Sequence, residues 1–234
     1  MKPSLPFILL LAAAIAVCGC FGSAPTADEP GASPMPTLEP GPGVSFLTLS
    51  GTGNASHAAR LDAGLYLAAI EHTGEGAFAL TDAGGEFVTV VGRFDGGPEP
   101  YTGTTAFVVP ADGTYSLKAV ANGSWTISLE RPEHLTDLAL PYTFGGTGDG
   151  ATGLFDLPAG NATVAMTNDG TGLFEVWLYA EDGSLVLDPT GEHIEPLSWH
   201  TGAFDGMRTA AVPESGTYLL NIFSDGAWTV EVRV

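Results

Sequence analysis

The chain has 234 residues, 44% of them hydrophobic, and sets 27 acidic side chains against 7 basic ones, a formal net charge of −20. That field excludes nucleic acid as a partner and disfavours anionic lipid surfaces, because affinity for phosphate comes from lysine and arginine. The surplus is uneven: Val44–Pro132 holds nine acidic and four basic side chains, whereas Glu133–Val234 holds fifteen and two. It favours solubility, association with cations or a high-salt habitat, and beyond Lys2 the sole lysine is Lys118. An acidic surface protein of no special habitat satisfies the same numbers.

At the N-terminus Lys2 precedes an apolar run from Leu5 to Val17, which reads as a secretory signal and is too short to stop in a bilayer. The run ends Val17-Cys18-Gly19-Cys20, which resembles the lipobox of prokaryotic lipoproteins, with an aliphatic residue at −3 and a small residue at −1. The resemblance implies that residues 1–19 are a signal peptide. It implies further that Cys20 is lipidated and that the mature protein is held at the outer face of the plasma membrane or in the cell envelope. An ordinary cleaved signal, or an uncleaved N-terminal helix, is the alternative. With Cys18 removed and Cys20 acylated no thiol remains, so the domains beyond must be stable without disulfides. From position 20 to 43 the chain is rich in Pro, Gly and Ala, with six prolines between Pro25 and Pro42. Such a composition forms no packed core and reads as a semi-rigid tether that displays the rest of the chain tens of ångströms from the lipid.

Beyond the tether the chain is written twice. Pro110, Gly113, Thr114, Tyr115, Gly123, Trp125 and Thr126 recur 103 positions later as Pro213, Gly216, Thr217, Tyr218, Gly226, Trp228 and Thr229. Earlier in each copy, Gly51-Thr52-Gly53-Asn54 answers Gly146-Thr147-Gly148-Asp149, and Leu61, Ala63, Gly64, Gly74, Gly76 and Phe78 answer Leu157, Ala159, Gly160, Gly170, Gly172 and Phe174. The spacing grows by about seven residues between Trp177 and Ala203, which marks an insertion in the second copy. The tandem arrangement predicts module 1 at 44–132, a linker at 133–139 and module 2 at 140–234, each large enough to bury its own core.

Within each copy, short β-rich runs alternate in period two and are closed by Gly, Pro, Asn and Asp, with no sustained helical period. Expected strands include 46–49, 65–71, 78–81, 87–91, 105–109 and 125–129, with their partners in the second copy. Seven or so strands per copy predict an all-β fold of two antiparallel β-sandwiches, jelly-roll-like in character. In Pro-x-x-Gly-Thr-Tyr the glycine is expected to supply a positive φ and the tyrosine to enter the core; in Gly-x-Trp-Thr the glycine closes a hairpin and Trp125 or Trp228 plugs the interior.

The order aliphatic-x-Ala-Gly, strand, Gly-x-Phe-x-Leu/Val, then a late Gly-Thr-Tyr strand resembles the β-sandwich modules called pre-peptidase C-terminal domains. The resemblance implies a non-catalytic accessory module, in some members binding polysaccharide, collagen-like surfaces or calcium. Where members carry an aspartate-rich strand, this chain has Ala79-Leu80-Thr81 and Glu175-Val176-Trp177.

No Gly-x-Ser-x-Gly elbow, His-Glu-x-x-His or Walker loop is present. Gly148, Gly150 and Gly153 fit a dinucleotide fingerprint, but Pro158 and Gly160 bar the helix that it needs. His57, His72, His134, His193 and His200 lack ligand spacing and read as surface residues; the turns at Asp169, Asp182, Asp205 and Asp225 offer weak calcium binding at most. No other cofactor and no catalytic residue is expected.

The sharpest site candidate is the second copy's own stretch, where Trp199 has no counterpart in the first. Trp199, His200 and Asp205 are therefore the expected ligand contacts, since an aromatic face flanked by hydroxyls and carboxylates suits a sugar or a protein partner. Three sequons, at Asn54, Asn122 and Asn161, mark N-glycosylation acceptors if the source has the machinery. The functional expectation is a lipid-anchored, non-enzymatic surface protein that binds an extracellular glycan or envelope protein; a structural spacer without a ligand is its rival.

Overall fold

The computed structural model describes residues 47–94, 100–136, 140–186 and 195–234; Cys20, the tether and His193 lie outside them. Among the described residues all regular structure is β, as the alternation and the density of turn residues require. The first copy supplies β1 (Leu47–Thr52), β2 (Ala55–Leu61), β3 (Gly64–His72), β4 (Gly76–Asp82), β5 (Phe87–Phe94), β6 (Tyr101–Val109), β7 (Gly113–Ala121) and β8 (Ser124–Glu130). They form two antiparallel sheets in the orders β1-β8-β3-β6 and β2-β7-β4-β5, the strand order of a jelly roll.

The second copy supplies β9 (Tyr142–Thr147), β10 (Gly150–Ala151), β11 (Phe155–Leu157), β12 (Gly160–Asn168), β13 (Leu173–Ala180), β14 (Ser198–Thr201), β15 (Phe204–Val212), β16 (Gly216–Phe223) and β17 (Ala227–Arg233). Its sheets run β9-β17-β12-β15 and β10-β16-β13-β14, with β11 also on β16. Strand for strand this is the first module again, β10 and β11 together taking the place of β2. The interruption between them is filled from the linker: Leu154 N donates to Glu133 O at 2.8 Å and Leu135 N to Leu154 O at 2.7 Å.

Each sandwich closes on its own core. Phe78, Leu80, Leu117, Trp125, Ile127 and Leu129 fill the first, and Phe155, Met166, Phe174, Leu220, Ile222, Trp228 and Val230 the second. Trp125 Nε1 donates to Gly53 O at 2.9 Å and Trp228 Nε1 to Gly148 O at 2.8 Å, so each indole buries its ring and satisfies its one donor on a turn. Tyr115 and Tyr218 enter the core and reach back four residues, to Ala111 O and Glu214 O, both at 2.6 Å. These paired bonds explain why Pro-x-x-Gly-Thr-Tyr and Gly-x-Trp recur.

Three sequence expectations need correction. Gly113 and Gly216 do not have positive φ; among the glycines that do are the equivalent pair Gly64 (125°) and Gly160 (127°), where the chain turns from one sheet into the other. At Gly123 and Gly226 the need is space, because a Cβ would overlap the Thr73 carbonyl or the Gly170 backbone of the neighbouring turn. His72, read as a surface histidine, is 3% exposed, its ring between Phe78 (centroids 5.8 Å) and Tyr101 (6.0 Å). It ends a strand that is buried on its inner face, and the matching residue of the second copy, Asn168, is buried too.

A third apolar cluster joins the modules. Leu65, Leu67 and Ala106, on the outer face of the first module's β1-β8-β3-β6 sheet, pack with Leu154 and Leu219 of the second module, with Val108, Ala151 and Tyr179 at the margin. Polar contacts border this seam: Ala106 N donates to Asn221 Oδ1 at 2.9 Å, Thr104 N to Asp149 O at 3.1 Å, and Tyr101 OH to Asp149 Oδ2 at 2.6 Å.

Candidate functional site

Trp199 sits on β14, at the edge of its sheet, with 55% of its surface exposed. Across the ladder it opposes Glu175 of β13, which in turn opposes Phe223 of β16, so the three side chains form a row across the outer face of the sheet. Two residues further along β13, on the same face, lies Trp177, whose Nε1 donates to Glu175 Oε2 at 2.9 Å and so has its indole orientation fixed. Beyond Trp177 the face meets the first module. A cleft of about 360 Å³ opens there, walled by Trp177, Tyr179 and Phe223 on one side and by Val90, Gly92 and Val108 on the other. Burial, and after it the charge of Glu175, pushes the Tyr179 hydroxyl above its ordinary range, so the cleft holds a neutral phenol beside a carboxylate. The result is a mainly aromatic platform with one acid at its centre, continuous with a cleft between modules, a common place for ligand sites.

The expected trio does not converge on this platform. His200 points to the other side of β14, where its ring lies 5.4 Å from that of Phe204. Asp205 is exposed on β15, in the opposite sheet of the sandwich, where it opposes Thr167. Trp177, Glu175, Tyr179 and Phe223 escaped the sequence reading because each occupies an ordinary alternating position. The available signal was that the first copy has Ala79 and Thr81 where the second has Glu175 and Trp177.

The remaining candidates serve their own turns. Asp225 accepts from Gly172 N and Thr171 N, both at 2.9 Å, and Asp182 from Ser184 N at 2.8 Å; hydrogen bonding to Gly172 and Thr171 holds the first carboxyl below its ordinary range, and hydrogen bonding to the Ser184 side chain and then its amide holds the second. Asp169 Oδ1 accepts from Ala227 N at 2.6 Å. Among the described residues no three His, Cys, Asp or Glu side chains converge to hold a metal ion. His134 meets Asp156 at 3.2 Å, and His57 lies edge-on to Trp125 at 5.6 Å. All three sequon asparagines are exposed; Asn54 Oδ1 accepts from Ala121 N at 3.0 Å and Asn122 Oδ1 from Glu75 N at 2.8 Å, while Asn161 is the second residue of β12.

No protein-family model matches the chain, and no curated protein matches it in sequence. Among solved structures the chain is similar to one in the atomic structure of Sulfolobus Turreted Icosahedral Virus, at 15% identity and a TM-score of 0.25. The match covers 80% of this chain and 60% of that one, and a likeness at this level bears on no function.

Proposed function

We propose that this is a lipid-anchored, non-catalytic protein of the cell surface, tethered through Cys20, whose second module holds an extracellular glycan or envelope protein on the face that carries Trp199. The observation that supports the reading is the row Trp199-Glu175-Phe223 beside Trp177. A large indole absent from the first copy and left more than half exposed contributes little to folding, whereas aromatic faces next to a carboxylate provide stacking area and a hydrogen-bond acceptor. A spacer has no need of such a face. The acidic surface keeps the protein soluble and turns it away from anionic polymers, so neutral or cationic partners suit it.

The test is a binding screen of the protein against surface glycans and envelope extracts, with Trp199→Ala alongside. The substitution is expected to lower binding by at least about tenfold, the loss of one well-placed aromatic anchor, while the melting temperature stays within about 2 °C. A drop of many degrees would assign Trp199 to the stability of its sheet. No binding by the unaltered chain would favour the spacer.

A further inference from the structure

The edge strands β6 and β15 are equivalent, and they lie in the same register on their neighbours: Ala68 opposes Thr105 as Val164 opposes Arg208. On β6 two amides that point off the edge, those of Thr104 and Ala106, are capped by the second module through Asp149 O and Asn221 Oδ1. The matching amides on β15 belong to Met207 and Thr209. Among the described residues neither bonds to any group outside its own sheet. Met207 is 63% exposed, and Arg208 and Thr209 beside it are exposed as well, three in succession where an enclosed strand would alternate. The strand has no internal lysine or proline to discourage pairing. Such an edge is a template for another strand.

We propose that β15 pairs with β15 of a second copy of this chain, antiparallel about a two-fold axis at Met207, joining the two β9-β17-β12-β15 sheets into one. Three observations select a second copy. The equivalent edge of the first module is already an interface between two jelly rolls, so this edge is where the fold accepts a neighbour. Repeating that interface head to tail is disfavoured, because Asn161 and Thr163 replace Leu65 and Leu67 on one side, and Ser116 and Lys118 replace Leu219 and Asn221 on the other. A two-fold pairing needs only backbone, and it closes as a dimer instead of growing into a filament. Centred on Met207, it sets Arg208 opposite Gly206 of the other copy and Asp205 opposite Thr209, so no like charges face each other. It also covers the exposed thioether.

Position-specific crosslinking in the full chain tests this. A residue on the axis faces itself at about 5.5 Å between Cα atoms, within reach of a disulfide, and its neighbours along the strand do not. Met207→Cys is expected to form a linked dimer under mild oxidation at least about tenfold faster than Asp205→Cys or Ala211→Cys, with the unaltered chain reporting any linkage through Cys18 or Cys20. Thr209→Pro removes one edge-pointing donor without touching the ladder to β12, and Met207→Lys adds charge to the edge; both are expected to yield monomers by light scattering while keeping the far-ultraviolet spectrum. Equal linkage at 205 or 211, no linkage at 207, capture of a different protein at 207, or dimers that survive both substitutions would each overturn the proposal.

Discussion

Gly51 and Gly146 face the indoles of Trp125 and Trp228 so closely that a Cβ on either would stand 2.6 or 2.7 Å from the ring, nearer than atoms pack. The indole cannot retreat, since its Nε1 is bonded to the turn at Gly53 or Gly148 and its ring is wedged among core residues. Gly146→Ala is therefore expected to destabilise the second module by about 1–3 kcal/mol, the usual consequence of overpacking. Gly216 is the contrast: its φ is not positive and the nearest atom to an added Cβ is the Tyr218 ring at 4.0 Å. Gly216→Ala is expected to leave stability unchanged or raise it by up to about 1 kcal/mol, by restricting the unfolded chain. Urea unfolding followed by tryptophan fluorescence separates the two, and equal losses at both sites would refute the assignment of space to one and freedom to neither. In the sequence these glycines look alike. Only the position of the ring tells which one is a void for an indole and which is a convenience of the turn.

Between elements the informative comparison is β3 with β12 and β16 with β7. The runs Gly64–Ile70 and Tyr218–Phe223 are apolar on both faces, apart from Asn221, while Asn161–Thr167 and Tyr115–Ala121 alternate with polar residues. Apolar residues on both faces are the mark of a strand covered on both sides, and here the second cover is the other module. That signal was legible in the sequence, together with the strand alternation, the turn words and the buried Trp and Tyr pairs. Three things were not. β2 carries His57 and Arg60 among small residues and has no strong pattern, His72 is polar at a position whose burial comes from aromatic neighbours on other strands, and Trp199's companions come from β13 and β16, to either side of its own strand in the sequence. Leu219 and Leu220 show how sharply the two faces of β16 divide, since both are fully buried, Leu219 in the seam and Leu220 in the core. Leu219→Ser, which installs the first copy's residue, is expected to split a single calorimetric transition into two by undocking the modules, with both cores intact. Leu220→Ser is expected to unfold the second module outright, at about 2–5 kcal/mol or more. If both substitutions gave the same loss of core signal, the seam would be part of one indivisible core.

At the scale of the whole molecule the seam holds a half-buried carboxylate. Asp149 occupies the turn position that Asn54 occupies in the first copy, and each accepts an amide of its own module: Ala121 N at 3.0 Å for Asn54, Ser224 N at 2.9 Å for Asp149. The second oxygen of Asp149 takes the Tyr101 hydroxyl across the seam, and Gly103 makes room, since a Cβ there would lie 3.1 Å from Asp149 Cβ. Burial raises the Asp149 carboxyl above its ordinary range, against the hydrogen bonds from Tyr101 and Ser224, with the charge of Asp225 adding to the rise. Burial raises the Tyr101 hydroxyl as well, and the neighbouring carboxylate raises it further, so the phenol remains a donor. A carboxyl whose folded pKa exceeds its unfolded one contributes stability that is full below the unfolded value and is lost as pH rises through the folded value. Asp225, held low by its turn amides, acts with the opposite sign: its contribution is lost as pH falls through its folded pKa. Asp149→Asn removes the titration while keeping an acceptor for Ser224 N. The unaltered chain is therefore expected to gain stability relative to Asp149→Asn as pH falls from neutral toward the ordinary carboxylate range, since only the former takes up a proton at this position. Denaturant midpoints of the two chains, measured side by side across the interval, read the difference directly. A midpoint of the unaltered chain that holds constant or falls relative to that of Asp149→Asn toward acid would mean that Asp149 is solvated and that the seam opens at this corner.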